Sequence, residues 1–202
     1  MPSVFQWDGL NANFTAYGSH KFGIHPVKII QLFKEAMSLS LTDRGARAIL
    51  HRVTKRGGVS VGQMTMATYG WKEMGAALES MDLLMSRVFP SVGWCVPRIR
   101  TMFRNNGNAL VLLKGKNCYE TEGVSLPGPV CIIFQSYIEG IGEALSSSFT
   151  GKTVESRELS CVARGDDCCT FILAEKTKGS GILDFNELRG DIEHLESMII
   201  PS

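Results

Sequence analysis

Between residues 158 and 171 the chain reads Glu158-Leu159-Ser160-Cys161-Val162-Ala163-Arg164-Gly165-Asp166-Asp167-Cys168-Cys169-Thr170-Phe171, and no other stretch limits the fold as much. Gly165-Asp166-Asp167 has the composition of a tight connection, and the segments beside it, about 152–164 and 168–175, read as strands. The region is therefore predicted to be a hairpin, with Cys161 and Cys169 on its two arms near the turn. That placement brings two sulfurs together without strain. Glu158 precedes Cys161 by three residues on the same arm, and twist or a bulge brings its carboxylate alongside. Cys131, on a helix predicted over about 129–148, supplies a fourth donor if that helix packs over the hairpin. Three thiolates and a carboxylate make a closed tetrahedral set for zinc, with no vacancy for water, so such an ion is structural. Arg157 and Arg164 are placed to offset its negative charge. The competing reading is plain burial, because unpaired cysteine is among the most buried residue types. A redox pair of Cys168 and Cys169 is disfavoured, since neighbours on a strand point to opposite faces.

Composition narrows the function. The chain has 202 residues, 44% of them hydrophobic, which suits one domain with a real core. Its net charge of +1 argues against a nucleic-acid binder, which needs bulk positive charge to displace counterions. No polybasic run addresses an anionic membrane, and no apolar stretch approaches the roughly 18 residues of a spanning helix. Six cysteines would suggest disulfides in a small secreted domain. This chain is not small and shows no secretory pattern at its start, so a cytoplasmic, reducing location is expected. Gly151-Lys152-Thr153 lacks the upstream glycine of a phosphate loop. No nucleophile elbow or nicotinamide or flavin fingerprint is present, so no catalytic residue is assigned.

Along the chain, residues 1–24 read as an irregular arm or edge strand whose aromatics pack onto the body. His25-Pro26 opens a helix to about residue 39, with Val27, Ile30, Leu32, Phe33 and Met37 on its apolar face. Thr42 or Asp43 caps a second helix, with Ala46, Ile49, Leu50 and Val53 facing inward and Gly57-Gly58 ending it. A methionine-rich segment from Ser60 to Phe89 is apolar nearly all round, which predicts a largely buried helix broken at Gly70 or Gly75. Strands follow at about 95–103 and 109–113, joined by Asn105-Asn106-Gly107. A final helix over about 183–199 carries Phe185, Leu188, Ile192, Leu195 and Ile199 at seam spacing, which suits docking on its own domain or a dimer contact.

The run from Cys131 to Phe171 resembles the 4-vinyl-reductase-like (4VR, hydrocarbon-binding) domain. The matching elements are Cys131, Ser136-Tyr137-Ile138-Glu139-Gly140, Glu158-Leu159-Ser160-Cys161-Val162-Ala163-Arg164-Gly165-Asp166 and Cys169-Thr170-Phe171. The resemblance implies a structural zinc held by Cys131, Glu158, Cys161 and Cys169, as in the phenol- and xylene-sensing activators, and leaves Cys168 outside the set. Two departures are a longer gap between Cys131 and Glu158, absorbed near Ser146-Ser147-Ser148, and serine at 136 where glycine is common.

It also implies a mixed α/β fold, an antiparallel sheet flanked by long helices, shared with subunits of the TRAPP tethering complex and similar to haem-based nitric-oxide sensors. The expected organisation is an arm (1–24), a 4VR-like ligand-binding domain (25–176) and a C-terminal helix (182–202). Such domains commonly form homodimers and hold a small hydrophobic ligand between helices and sheet. Met74, Met81, Met85, Phe134 and Tyr137 are the candidate pocket residues. Three functions follow: a non-enzymatic binding protein for a small apolar ligand; a tetrapyrrole-binding accessory factor in (bacterio)chlorophyll synthesis or photosystem assembly; or a tethering protein with a vestigial pocket that works through a protein partner.

Overall fold

The computed structural model describes residues 5–8, 13–16, 20–22, 27–91, 94–104, 106–125 and 130–199, with side chains from residue 32 onward except at 83, 84, 88 and 91. Three short strands come first: β1 (Phe5–Asp8), β2 (Asn13–Ala16) and β3 (His20–Phe22). They pair antiparallel as a sheet of their own, Phe5 opposite Ala16 and Phe14 opposite Phe22. Of the two forms expected for this region, an irregular arm or an edge strand, the described residues are strands, and Phe5, Trp7, Phe14 and Phe22 fall within them, where aromatics are favoured. The expected packing of those aromatics lies outside the described side chains.

The body runs α1 (Val27–Ser40), α2 (Asp43–Tyr69), α3 (Met74–Ser91), β4 (Val96–Phe103), β5 (Ala109–Lys116), α4 (Ile132–Phe149), β6 (Thr153–Ser160), β7 (Cys169–Lys176) and α5 (Arg189–Ser197). The four strands form one antiparallel sheet in the order β4-β5-β7-β6. The architecture is mixed α/β, with helices over an antiparallel sheet.

At the start of α2 the Gly45 N–H donates to the Thr42 hydroxyl at 3.1 Å, which caps the helix. The helix then runs 27 residues straight through Gly57-Gly58, where the sequence predicts a stop. The reason is tertiary. A Cβ at Gly58 would lie 2.1 Å from the Tyr137 carbonyl oxygen, and one at Gly140 would lie 2.1 Å from that of Lys55. These glycines let α2 and α4 cross almost backbone to backbone. The true end is Gly70, at φ 62°, whose N–H donates to Met66 O at 2.8 Å. The crossing also sets the buried stripe of α2, which is Ala46, Leu50, Gly58, Gly62 and Thr65. Ile49 and Val53, expected to face inward, are turned to solvent, as are Leu32 and Phe33 of α1.

α3 is not buried all round. Ala77, Met81, Met85 and Phe89, each four residues apart, form its buried stripe, while Glu79 and Ser86 are exposed. The sheet is covered on both faces, so β7 is buried along nearly its whole length. Ile99, Leu113, Phe171 and Leu173 belong to the core under α3 and α4. On the opposite face Leu110, Leu112, Ile172 and Ala174 pack with Phe185, Leu188 and Leu195. The C-terminal seam therefore lies on the chain's own sheet, and its regular helix is shorter than expected. Ion pairs Arg104–Asp191 (2.7 Å) and Lys114–Glu196 (3.3 Å) flank it. Leu195 is fully buried, so Leu195→Ala is expected to cost about 2–5 kcal/mol and to open the segment after Lys176 to protease. Unchanged urea unfolding and unchanged cleavage would show that the segment does not hold this face.

Candidate metal centre and apolar chamber

β6 and β7 pair from Thr153 opposite Lys176 to Ser160 opposite Thr170, with a register shift between Glu158 and Ser160. This irregularity re-aims the strand end. Val154, Ser156 and Glu158 face α4, whereas Arg157 and Leu159 face the C-terminal segment. Beyond Ser160 a single 3-10 turn, Val162–Arg164, ends at Gly165 with φ 96°. Asp166 fixes this turn: it accepts from the Cys161 N–H at 2.7 Å and from the Arg164 guanidinium at 2.9 Å. Both bonds favour its charged form and hold its pKa below the usual value. From sequence alone Asp166 is only part of the connection.

Cys131 is the N-cap of α4, and its N–H donates to Glu158 Oε2 at 3.2 Å. Cys131 Sγ lies 3.7 Å from Cys169 Sγ, which lies 4.0 Å from Cys161 Sγ. With a Glu158 oxygen, the four donor atoms all fall within 4.8 Å of one another, and all four residues are buried. Cys168 stays outside the group, half-buried, with its sulfur 3.7 Å from Thr170 Oγ1.

This donor set fits a tetrahedral metal ion. Zn–S bonds of about 2.3 Å imply S···S edges of about 3.8 Å, close to the separations present. Glu158 Oε1 is buried without a hydrogen-bond partner, a costly state that coordination would relieve. Of the arginines the sequence suggested, Arg157 supplies no compensating charge, and Arg164 feels Cys161 and Glu158 less than it feels Asp166. The Arg157 guanidinium carbon sits 4.5 Å over the Phe185 ring on the other face of the sheet, and Arg164 is committed to Asp166. The backbone serves as well: the Val162 N–H donates to Cys169 Sγ at 3.5 Å, and Cys131 stands at the positive end of α4.

The thiols are not equivalent. Thiol hydrogen bonds from Cys118 and Cys131 pull Cys169 down to about 3. Burial, and then the Glu158 carboxylate, push Cys161 up to about 12. Burial raises Glu158 as well, against hydrogen bonds from Cys161 and Cys131. A cation entering this set would displace protons from the remaining thiols.

A cavity of about 50 Å³ lies between α3, α4 and the sheet, with Met81, Met85, Ile99, Ile138, Ile141 and Leu173 in its wall. A smaller one of about 20 Å³ adjoins it through Leu78, Val111, Gly142, Leu145 and Leu173, and Met74 lines this second space. Phe134 and Tyr137, the other expected pocket residues, line neither. They belong to an aromatic cluster, Phe134 with its ring 5.2 Å from Phe89 and Tyr137 with its ring 4.6 Å from Trp94. Phe134 also packs 5.1 Å from Phe171, two residues from Cys169.

A larger open cleft of about 320 Å³ between α1, α2 and the 119–121 turn includes Lys34, Arg47 and Glu120. Glu120 is buried and accepts from the Phe134 N–H (2.7 Å), the Ile133 N–H (3.2 Å) and the Lys34 ammonium (2.8 Å), thereby capping α4. No sequence pattern marks it, because its partners lie in other elements.

The sequence matches no family model and no curated protein. Solved structures do resemble the fold. The phenol-responsive sensory domain of the transcription activator PoxR, solved with phenol, superposes with a TM-score of 0.72 at 18% identity, over 94% of this chain and 91% of that one. A vinyl-4-reductase family protein from Methanocaldococcus jannaschii gives 0.45 at 18% identity, over 77% and 84%. A trafficking protein particle complex subunit 3 from Naegleria fowleri, covalently bound to palmitic acid, gives 0.45 at 16% identity, over 72% and 93%. The last two overlaps are too loose to argue from. The first establishes that this chain has the fold of the PoxR sensory domain, in agreement with the resemblance carried by its motif. Among the described residues no helix is long and apolar enough to cross a membrane.

Proposed function

We propose that the chain is a non-catalytic binding module for a small apolar molecule, fastened by a structural zinc at Cys131, Glu158, Cys161 and Cys169. The observation that carries this reading is that centre and chamber share their walls. Cys131 occupies the N-cap position of α4, whose Ile138, Ile141 and Leu145 line the chamber, and Cys169 opens β7, whose Leu173 does the same. An ion joining those two cysteines fixes the spacing of α4 and β7, and so the shape of the space between them. The phenol bound by PoxR supports a ligand of similar size and polarity.

At about 50 Å³ the chamber is smaller than the roughly 150 Å³ that holds benzene in an engineered cavity. Entry therefore requires Met81 and Met85 to change rotamer, which flexible, unbranched side chains do readily. A tetrapyrrole would demand separation of α3 from the sheet, so a compact aromatic is the better candidate. The test is thermal unfolding of purified protein against phenol and simple alkylbenzenes. A ligand at a hundred times its Kd adds about 2.7 kcal/mol, or about 5–11 °C for a chain of this size. Met81→Trp should fill the space, remove that shift and leave metal content unchanged. A full shift in Met81→Trp would place the ligand elsewhere. No shift with any apolar compound, together with a stable protein complex, would favour a tethering role. Native mass spectrometry reads the homodimer in the same sample.

A further inference from the structure

Two buried cysteines, Cys95 and Cys118, lie outside the four-donor group. Local backbone devices carry them to its edge. After β5 the chain reverses at Asn117, whose φ of 55° is left-handed, and the Cys118 thiol folds back to within 3.6 Å of the Gly115 carbonyl oxygen. The Tyr119 N–H donates to the Trp94 carbonyl at 2.9 Å, tying the residue after Cys118 to the residue before Cys95. Both sulfurs meet above Gly115: a Cβ there would lie 2.9 Å from Cys118 Sγ and 3.4 Å from Cys95 Sγ. Gly115 is also the register partner of Cys169 across β5 and β7. The space a side chain at 115 would occupy is thus filled with sulfur beside the metal centre. Gly115 thereby brings the Cys118 and Cys95 sulfurs to the Cys169 end of β7.

We infer that Cys118, with Cys131 and Cys169, forms a second, all-sulfur face of this centre that takes a thiophilic d10 cation such as cadmium(II), mercury(II) or copper(I), with Cys95 in reach as a fourth sulfur. Soft thiolates select soft ions, whereas a carboxylate suits harder ones. The face containing Glu158 and Cys161 suits zinc; the face containing Cys118 and Cys95 suits the softer ions. Both use Cys131 and Cys169, so occupation of one excludes the other. Each thiol that coordinates gives its proton to solvent as its sulfur–metal bond forms, and nothing is oxidised or reduced.

The inference shares two cysteines with the proposed zinc centre but does not require Glu158 as a ligand, and the two fail separately. The experiment is cadmium(II) titration of the metal-free full chain under phosphine reductant, read by 113Cd NMR and by sulfur-to-cadmium charge-transfer absorbance. Wild type should give a four-sulfur resonance. Cys118→Ser should move that resonance to a mixed sulfur–oxygen position and weaken cadmium binding by about tenfold or more, with zinc stoichiometry unchanged. Gly115→Ala, which retains every cysteine, should shift the resonance in the same direction by displacing the Cys118 sulfur. Glu158→Gln should weaken zinc while leaving the cadmium resonance in place; retained zinc there counts against the zinc reading alone. A three-sulfur, one-oxygen resonance in wild type, or a wild-type resonance and affinity in Cys118→Ser, would overturn the inference.

Discussion

Replacing Cys169 with serine is expected to abolish metal retention and to lower the melting temperature by about 8–16 °C. Cys169 sits at the middle of the donor group, 3.7 Å from Cys131 and 4.0 Å from Cys161, so its loss removes the donor that links the other two sulfurs. An ion held at a thousand times its Kd stabilises the folded chain by about 4.1 kcal/mol, and each kcal/mol is about 2–4 °C for a chain of this size. Cys161→Ser should behave alike, with hydrogen exchange quickening across residues 152–175. Cys168→Ser should keep both metal and melting temperature, because its sulfur lies outside the group, beside Thr170. Elemental analysis showing full zinc in Cys161→Ser and Cys169→Ser would refute the centre. Zinc loss in Cys168→Ser would mean that the wrong neighbour had been assigned.

The second large effect concerns the crossing of α2 and α4. Gly140→Val is expected to destabilise the protein by about 3 kcal/mol or more, at the upper end of overpacking costs. Its Cβ would lie 2.1 Å from Lys55 O and 2.8 Å from Val59 N, both backbone atoms that cannot swing aside. Parting the helices would also pull Glu139 from the Lys55 ammonium (2.7 Å). Gly57 is the internal control. A Cβ there meets nothing within 4 Å, so Gly57→Ala should stabilise α2 by up to about 1 kcal/mol through helix propensity alone. Urea unfolding of the two variants decides this. Equal midpoints would mean that the helices do not approach as closely as described.

That contrast explains much of what could be read from the chain. The hairpin was legible because its determinants are local: turn residues, two cysteines beside them and a glutamate three positions away. Spacing alone does not determine the irregular register that lets Glu158 join them, since strand twist serves the same end. Gly57-Gly58 misled because a glycine pair is an ordinary helix stop, and the reason Gly58 is glycine lies in Tyr137 and Gly140. Helical period alone turns Ile49 and Val53 inward, whereas the crossing decides which stripe of α2 is covered. Arg157 lies next to the metal motif in sequence but on the opposite side of the sheet, as strand alternation requires. Cys95 and Cys118 carried no spacing signal. Their approach depends on the reversal at Asn117 and on β5 pairing with β7, neither of which local sequence fixes.

The most direct measurement is native mass spectrometry of the purified full chain after exhaustive desalting. One zinc per chain is expected, retained through desalting, absent from Cys161→Ser and present in Cys168→Ser. A metal-free chain that nevertheless keeps its cooperative melt and its 152–175 hairpin would contradict the metal-fastened chamber.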